Sequence, residues 1–340
     1  MSASAGKVLM IPKGDYDAAE TYTMLDVVSY KGKSYVAKQT TTGNAPTNTT
    51  YWQLMVDGQG HTIKDSTTTF PSRANLVFDG FYVEDDSANN ATIIYKNNPL
   101  PLVSWSTGTD AEIKAMVDAY YAGNLTLEEI KSVWSIGDER EVTLSAMAAT
   151  GVGETHASQT VKFVLMNFGG KTLTSDNTEC LAIVGQKNSL AEAGYINSSN
   201  TNTGGWNSCA RRSWCNNIYK AAIPSDFREL FKEHNNQSGT GDGASSGTQT
   251  TADYFTLPAE IEVFGTTTHS VAGEGSQFKY YETSANRSKT LGEGGSAYAW
   301  WERSPLSDNP YQFCYVNSND VTAAHYLASH TQGLAPFGCI

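Results

Sequence analysis

A chain of 340 residues exceeds the size at which one hydrophobic core stops growing, so two or three domains are expected. Hydrophobic residues at 39% and charged residues at 17% describe a folded, moderately polar protein rather than a disordered one. A formal charge of −12 repels phosphate backbones, the Lys/Arg clusters go no further than Arg211 and Arg212, and no run of about 18 apolar residues occurs, which argues against nucleic-acid partners and membrane insertion.

The first stretch reads as short strands at residues 7–11, 24–30 and 33–38, with Lys31 and Gly32 as the turn between the last two. A compact β module therefore occupies residues 1–58, ended by the glycines at 58 and 60. A second small β-rich segment, residues 59–105, has its clearest strands at 74–79 and 91–95, and Pro99 and Pro101 mark its boundary. A helical connector, a linker or an oligomer contact, is expected over residues 106–133. There Asp110 serves as N-cap to a helix whose stripe is Ile113, Met116, Val117 and Tyr120, with Gly123 at the exit. Thr126 and Glu129 form the capping box of a second, shorter helix.

Residues 134–340 mix strands and helices. Strands are expected at 141–146, 160–166, 297–303, 311–316 and the terminal 334–340, which should dock in the core. Helices are expected at 208–222, stopped before Pro224, at 226–233, and at 258–264, with Pro258 in the first turn and Gly265 at the C′ position. Between the last two, residues 235–251 are polar throughout, without a bulky apolar side chain, and read as a flexible surface loop. The fold class expected is thus β-rich N-terminal modules, a helical connector and an α+β C-terminal domain.

Patterns for enzyme chemistry are sparse. Phe-Gly-Gly-Lys-Thr at 168–172 lacks the upstream glycine of a phosphate loop, since Leu165 stands there, and reads as a Gly-Gly turn leaving a strand. The six histidines show no paired zinc-site spacing, and Cys209 and Cys215 would diverge on a helix, so no metal or other cofactor is expected. Adjacent carboxylates such as Asp85 and Asp86, or Glu128 and Glu129, read as solvent-facing, although two acids remote in the chain leave a glycosidase open. The five cysteines, an odd number among apolar or small neighbours, read as buried free thiols, and the N-terminus lacks the apolar run of a secretory signal, so synthesis in a cytoplasm is expected.

Two resemblances add to this reading. Residues 6–58 are similar to the small β modules at the N-termini of phage head-fibre and tail-fibre proteins, themselves similar to chitin-binding carbohydrate-binding modules. The motifs are Tyr22 to Lys38 (Tyr-Thr-Met-Leu-Asp-Val-Val-Ser-Tyr-Lys-Gly-Lys-Ser-Tyr-Val-Ala-Lys), Gly-Asn-Ala-Pro at 43–46, and Tyr51 with Trp52. Where carbohydrate-binding relatives carry exposed aromatics, this chain has Lys-Gln-Thr-Thr-Thr at 38–42, so the resemblance implies attachment to the particle, with Trp52 in the core.

From Trp134 to Ile340 the chain resembles an uncharacterised domain family of gut Gram-positive bacteria and their phages. The motifs are Trp-Ser-Ile-Gly-Asp at 134–138, Leu-Pro-Ala-Glu at 257–260 with Phe264 and Gly265, Trp-Trp-Glu-Arg-Ser-Pro at 300–305, and the ending Gly-Leu-Ala-Pro-Phe-Gly-Cys-Ile. That family is similar to the C-type-lectin-like fold of formylglycine-generating enzymes and phage receptor-binding proteins. The resemblance implies a display domain with at least one of Trp300 and Trp301 in its core, and a ligand face drawn from Tyr311, Tyr315, Asn317, Asn319, Asp320, His325, Tyr326 and His330. It implies a non-enzymatic virion fibre or decoration protein, head or tail, made in the host cytoplasm, anchored to other virion proteins, binding host-surface glycans or proteins, and trimeric. Two alternatives stay open: a formylglycine-generating type of enzyme using Cys314 and Cys339 as a thiol pair, and a purely architectural capsid protein.

Overall fold

A computed structural model describes residues 10–56, 76–83, 91–97, 100–149, 151–243 and 247–340, the strands at 76–83 and 91–97 by their backbone. The chain divides into two compact units, residues 1–72 and 73–340. Lys7 to Leu9, Asp57 to Gly60, His61, Asp85, Asp86 and Pro99 lie outside the described residues.

The first unit is a four-stranded sheet in which Ile11–Asp15 runs parallel to Asp26–Tyr30, followed by antiparallel Lys33–Ala37 and Trp52–Val56. Lys31 and Gly32 both take positive φ (52° and 75°), the paired left-handed geometry that lets a two-residue turn follow the twist of its strands. So small a unit has few apolar residues to bury, and it fills its core with rings. Trp52, 1% exposed, stands edge-on to Tyr16 and Tyr22 and donates its indole N–H to the carbonyl of Asn44 at 2.7 Å.

In the second unit, Leu76–Val83 and Ala91–Asn97 form a hairpin, and the main body is organised around an antiparallel sheet. Its strand order is Phe337–Cys339, Ala182–Gln186, Gln159–Phe168, Glu139–Leu144. Side chains alternate across it: Val161, Phe163 and Leu165 enter one apolar cluster, Val164 and Met166 another. The first cluster is closed by helices, the second by Val263, Phe278, Tyr281 and Trp300. A strand buried on both faces reads as an unbroken apolar run, which is how residues 160–166 read. The C-terminal strand is the far edge of this sheet, and Ile340 is fully buried with its N–H on the carbonyl of Ala182.

The helix Asp110–Tyr121 is capped by Thr109 rather than by Asp110: Thr109 and Glu112 exchange bonds in a capping box one residue earlier than expected. The second box, Thr126 with Glu129, opens Leu127–Lys131 as expected. These helices are not a connector between cores. Ile113, Met116, Val117 and Ile130 share one cluster with Phe163, Trp214 and Phe231.

Four further expectations are corrected. The helix expected over 208–222 begins only at Ala210, because Cys209 is extended and acts as the N-cap, and Cys215–Tyr219 widens into a π turn. The helix expected over 226–233 is the single turn Ser225–Arg228, and the one at 258–264 is Glu260–Phe264 with Ala259 as N-cap; Gly265 ends it at φ 75° as anticipated. The stretch 235–251, expected as a flexible loop, contains paired strands instead: His234–Gly239 and Thr248–Asp253 form a hairpin. Its buried side chains are polar and are held above all by Asp253, whose carboxylate accepts from Trp206, Arg212, Asn216, Asn236 and Thr251, while His234 Nε2 and Asn236 Oδ1 find no partner among the described residues. Hydrogen bonds order this segment where apolar area is missing.

Candidate functional site

All eight ligand-face residues foreseen in the sequence fall on or beside a three-stranded antiparallel sheet, Trp300–Pro305, Gln312–Val316 and Ala323–Leu327. Aromatic and branched residues alternate along its strands, and the register sets Phe313 opposite Tyr326, Cys314 opposite His325 and Tyr315 opposite Ala324. None of the eight is buried, Tyr315 and Asn317 being half-buried and the rest exposed.

The period of two divides them. Tyr326 shares a face with Phe313 and with Tyr315, whose ring meets the buried Trp301 at 6.1 Å, and Tyr326 itself stands edge-on to His330 at 4.3 Å. The Tyr311 carbonyl accepts from Ala328 at 2.9 Å, which continues the pairing and brings Tyr311 beside Tyr326. His325 points to the other face, where Gln312 holds its Nδ1 through the amide oxygen and His269 stands edge-on at 4.8 Å. Burial, then His269, lowers the His325 pKa. His325 and Tyr326, grouped as neighbours in sequence, therefore cannot touch one ligand from a single side.

Asn317 and Asp320 build the turn between the last two strands. Asn317 Oδ1 accepts from Asn319 N–H at 3.0 Å, Asp320 Oδ1 accepts from the Thr322 hydroxyl at 2.8 Å, and Val321 takes φ 59°. One oxygen of each is thus engaged within the turn. Polar groups that the sequence reading missed border the tyrosines instead. Asn200 Oδ1 accepts from the Ser329 hydroxyl at 2.6 Å, and the buried Asn202 Nδ2 donates to the carbonyls of Leu306, Asn309 and Gln312. No sequence signal marks them, because each partner is over a hundred residues away.

Behind this sheet lies a buried charged layer. Arg303, fully buried, grips both oxygens of Glu262 and donates to the carbonyls of Gln237, Leu257 and Glu274, while Lys171 reaches Glu262 from the other side. Burial would raise the Glu262 pKa, but Arg303 and Lys171 outweigh it and hold the carboxyl down at about 2. Glu302 is the opposite case: buried, with no hydrogen-bond partner among the described residues, it has its pKa driven well above the usual range by burial and by Glu260 and Glu274.

All five cysteines are buried free thiols. Cys339 bonds with Cys180 rather than Cys314, and burial pushes its pKa far up. Cys314 sits on the other sheet against Glu302, Glu260 and Glu274, also with a raised pKa. The arrangement gives no thiol pair of Cys314 with Cys339. Among the described residues no three His, Cys, Asp or Glu side chains are placed to hold a metal ion, and no helix is long and apolar enough to cross a membrane. Gly169 and Gly170 take φ 65° and 93°, a turn leaving a strand, and Glu128 and Glu129 are exposed.

No curated protein matches this chain, and no solved structure matches it. The C-terminal half, residues 172–340, which carries the whole three-stranded sheet, the polar hairpin and the terminal strand, is similar to a family described as a domain of unknown function (DUF6273).

Proposed function

We propose that this protein is a non-enzymatic adhesive component of a phage particle: the N-terminal module attaches it to other virion proteins, and the C-terminal domain, C-type-lectin-like in fold, meets the host surface. One observation carries the adhesive part. Between residues 103 and 340, the described large apolar side chains that stand exposed are Tyr311 (53%) and Tyr326 (42%), side by side on one sheet. A domain that buries Trp300, Trp301, Phe313 and its C-terminal isoleucine has no stability reason to present two adjacent rings. Tyrosine gives a large, rigid contact area with a polar tip, at little entropic cost, and the strip from Trp301 through Tyr315 to Tyr326 and His330 anchors it in the core. The resemblance to fibre modules supports the anchoring part, and trimeric assembly follows from the same resemblance.

The test is adhesion of the purified protein to bacterial cells, measured by co-sedimentation. Tyr311→Ala with Tyr326→Ala should leave the melting temperature nearly unchanged, since each exposed substitution shifts stability within about 0.5 kcal/mol. Adhesion should fall by about tenfold or more, the effect of losing about 1.4 kcal/mol from a hot spot. Undiminished adhesion by this double variant would overturn the site, and His325→Ala, on the opposite face, serves as the control that should bind normally.

A further inference from the structure

None of the chain's 23 lysines and arginines falls in residues 188–210, 233–278 or 304–340. Parts of these stretches, far apart in sequence, meet at one end of the second unit. Asn202 binds the carbonyls of Leu306, Asn309 and Gln312; Thr203 bonds Asp242 at 3.1 Å; Asn200 bonds Ser329; and the carbonyl of His269 accepts from Ser307 at 3.0 Å. Tyr311, Tyr326 and His330 stand on that end. Among the described residues its exposed formal charges are the carboxylates Asp242, Asp308 and Asp320, and its other exposed polar groups are amides, hydroxyls and the imidazoles of His325 and His330.

From this distribution we infer that the ligand of the tyrosine face is a neutral saccharide, and not one of the phosphate- or carboxylate-bearing polymers of bacterial surfaces. The inference rests on the adhesive reading above and specifies its ligand. An anionic polymer is held at an exposed site by Arg, Lys or protonated His, and its affinity tracks their number. Here an approaching polyanion meets carboxylates on a molecule whose formal charge is −12, so desolvation and repulsion both oppose it. A neutral sugar ring needs something else: an aromatic face against its C–H groups and mixed donors and acceptors for its hydroxyls. Tyr311 and Tyr326 supply the first; the amide nitrogens of Asn200 and Asn309, whose oxygens already accept from Ser329 and Tyr311, and the acceptor lone pairs of the Ser329 hydroxyl supply the second. At pH 7.5 His325, its pKa lowered by burial and by His269, adds no cation from the other face.

The experiment uses the full chain at pH 7.5 on immobilised probes: neutral oligosaccharides built on glucose, galactose, rhamnose and N-acetylglucosamine, alongside teichoic acid and hyaluronate as anionic polymers. Capture by at least one neutral probe is expected, changing less than about twofold between 50 and 500 mM NaCl and lost in the Tyr311→Ala, Tyr326→Ala double variant. Capture by an anionic probe that weakens as salt rises would overturn the inference while leaving the adhesive reading standing. Cell adhesion abolished by protease treatment of the cells, with no saccharide captured, would overturn it in favour of a protein receptor. Failure to adhere to any cell or probe would sink the adhesive reading itself.

Discussion

Arg303 offers the sharpest perturbation of the second unit. It makes side-chain bonds to Glu262 and to three backbone carbonyls while fully buried, and Trp301 and Glu302, its neighbours on the strand, are also fully buried. Arg303→Met keeps the volume and removes the charge, leaving Glu262 with Lys171 and the Ala259 N–H, and three carbonyls with no donor from this side chain. Breaking a buried pair by deleting one partner costs about 3–5 kcal/mol, because the remaining charge stays desolvated. For a unit of this size that corresponds to a melting temperature lower by roughly 6–20 °C. The pH dependence should change with it. Glu262, depressed to about 2 from 4.5, contributes stability that is present above about pH 4.5 and lost as pH falls towards 2. In Arg303→Met that acid limb should shrink, since without its main counter-charge Glu262 no longer holds a folded pKa far below the unfolded one. Arg303→Lys restores charge without the planar fork and should recover only part of the loss. Calorimetry from pH 3 to 8 on the three proteins measures all of this. A loss below about 1 kcal/mol, or an unchanged acid limb in Arg303→Met, would refute the assignment of Arg303 as the counter-charge that keeps Glu262 ionised.

Two more outcomes follow from buried polar groups. Lys289 is buried against Tyr281 and Trp300 with its ammonium on the carbonyls of Gln186 and Lys187, and burial lowers its pKa to about 7. Its folded pKa lies below the unfolded 10.5, so the unfolded chain binds the extra proton between those values and stability rises with pH across that window. Lys289→Met should therefore be more stabilising, or less destabilising, at pH 6 than at pH 9, by an amount on the order of a few kcal/mol; equal shifts at the two pH values would contradict the buried charge. Asp253→Ala strips five donors of their acceptor in the hairpin that the sequence leaves without apolar anchors. A loss of about 3 kcal/mol or more is expected in urea unfolding, and a loss under about 0.5 kcal/mol would return residues 235–251 to the status of a dispensable loop.

How much of this was legible beforehand depended on whether the signal was local. The start of the first helix, the Thr126–Glu129 capping box, the Lys31-Gly32 turn, the Gly265 stop and the doubly buried strand at 160–166 are written within a few residues, and the structure places them there or one residue away. Tyr311 and Tyr326 as exposed rings, and Trp52 and at least one of Trp300 and Trp301 as core, followed from residue type and strand alternation; the structure buries both tryptophans. Three things did not. The polar stretch 235–251 is ordered because Asp253 gathers Trp206, Arg212 and Asn216 from another part of the chain, and composition does not report whether a polar side chain finds a partner. His325 and Tyr326 belong to opposite faces, which one residue of register decides. The absence of cations from residues 188–210, 233–278 and 304–340 is plain in the sequence but means nothing there; only the fold brings parts of three distant stretches onto one surface, because charge acts through space and not along the chain.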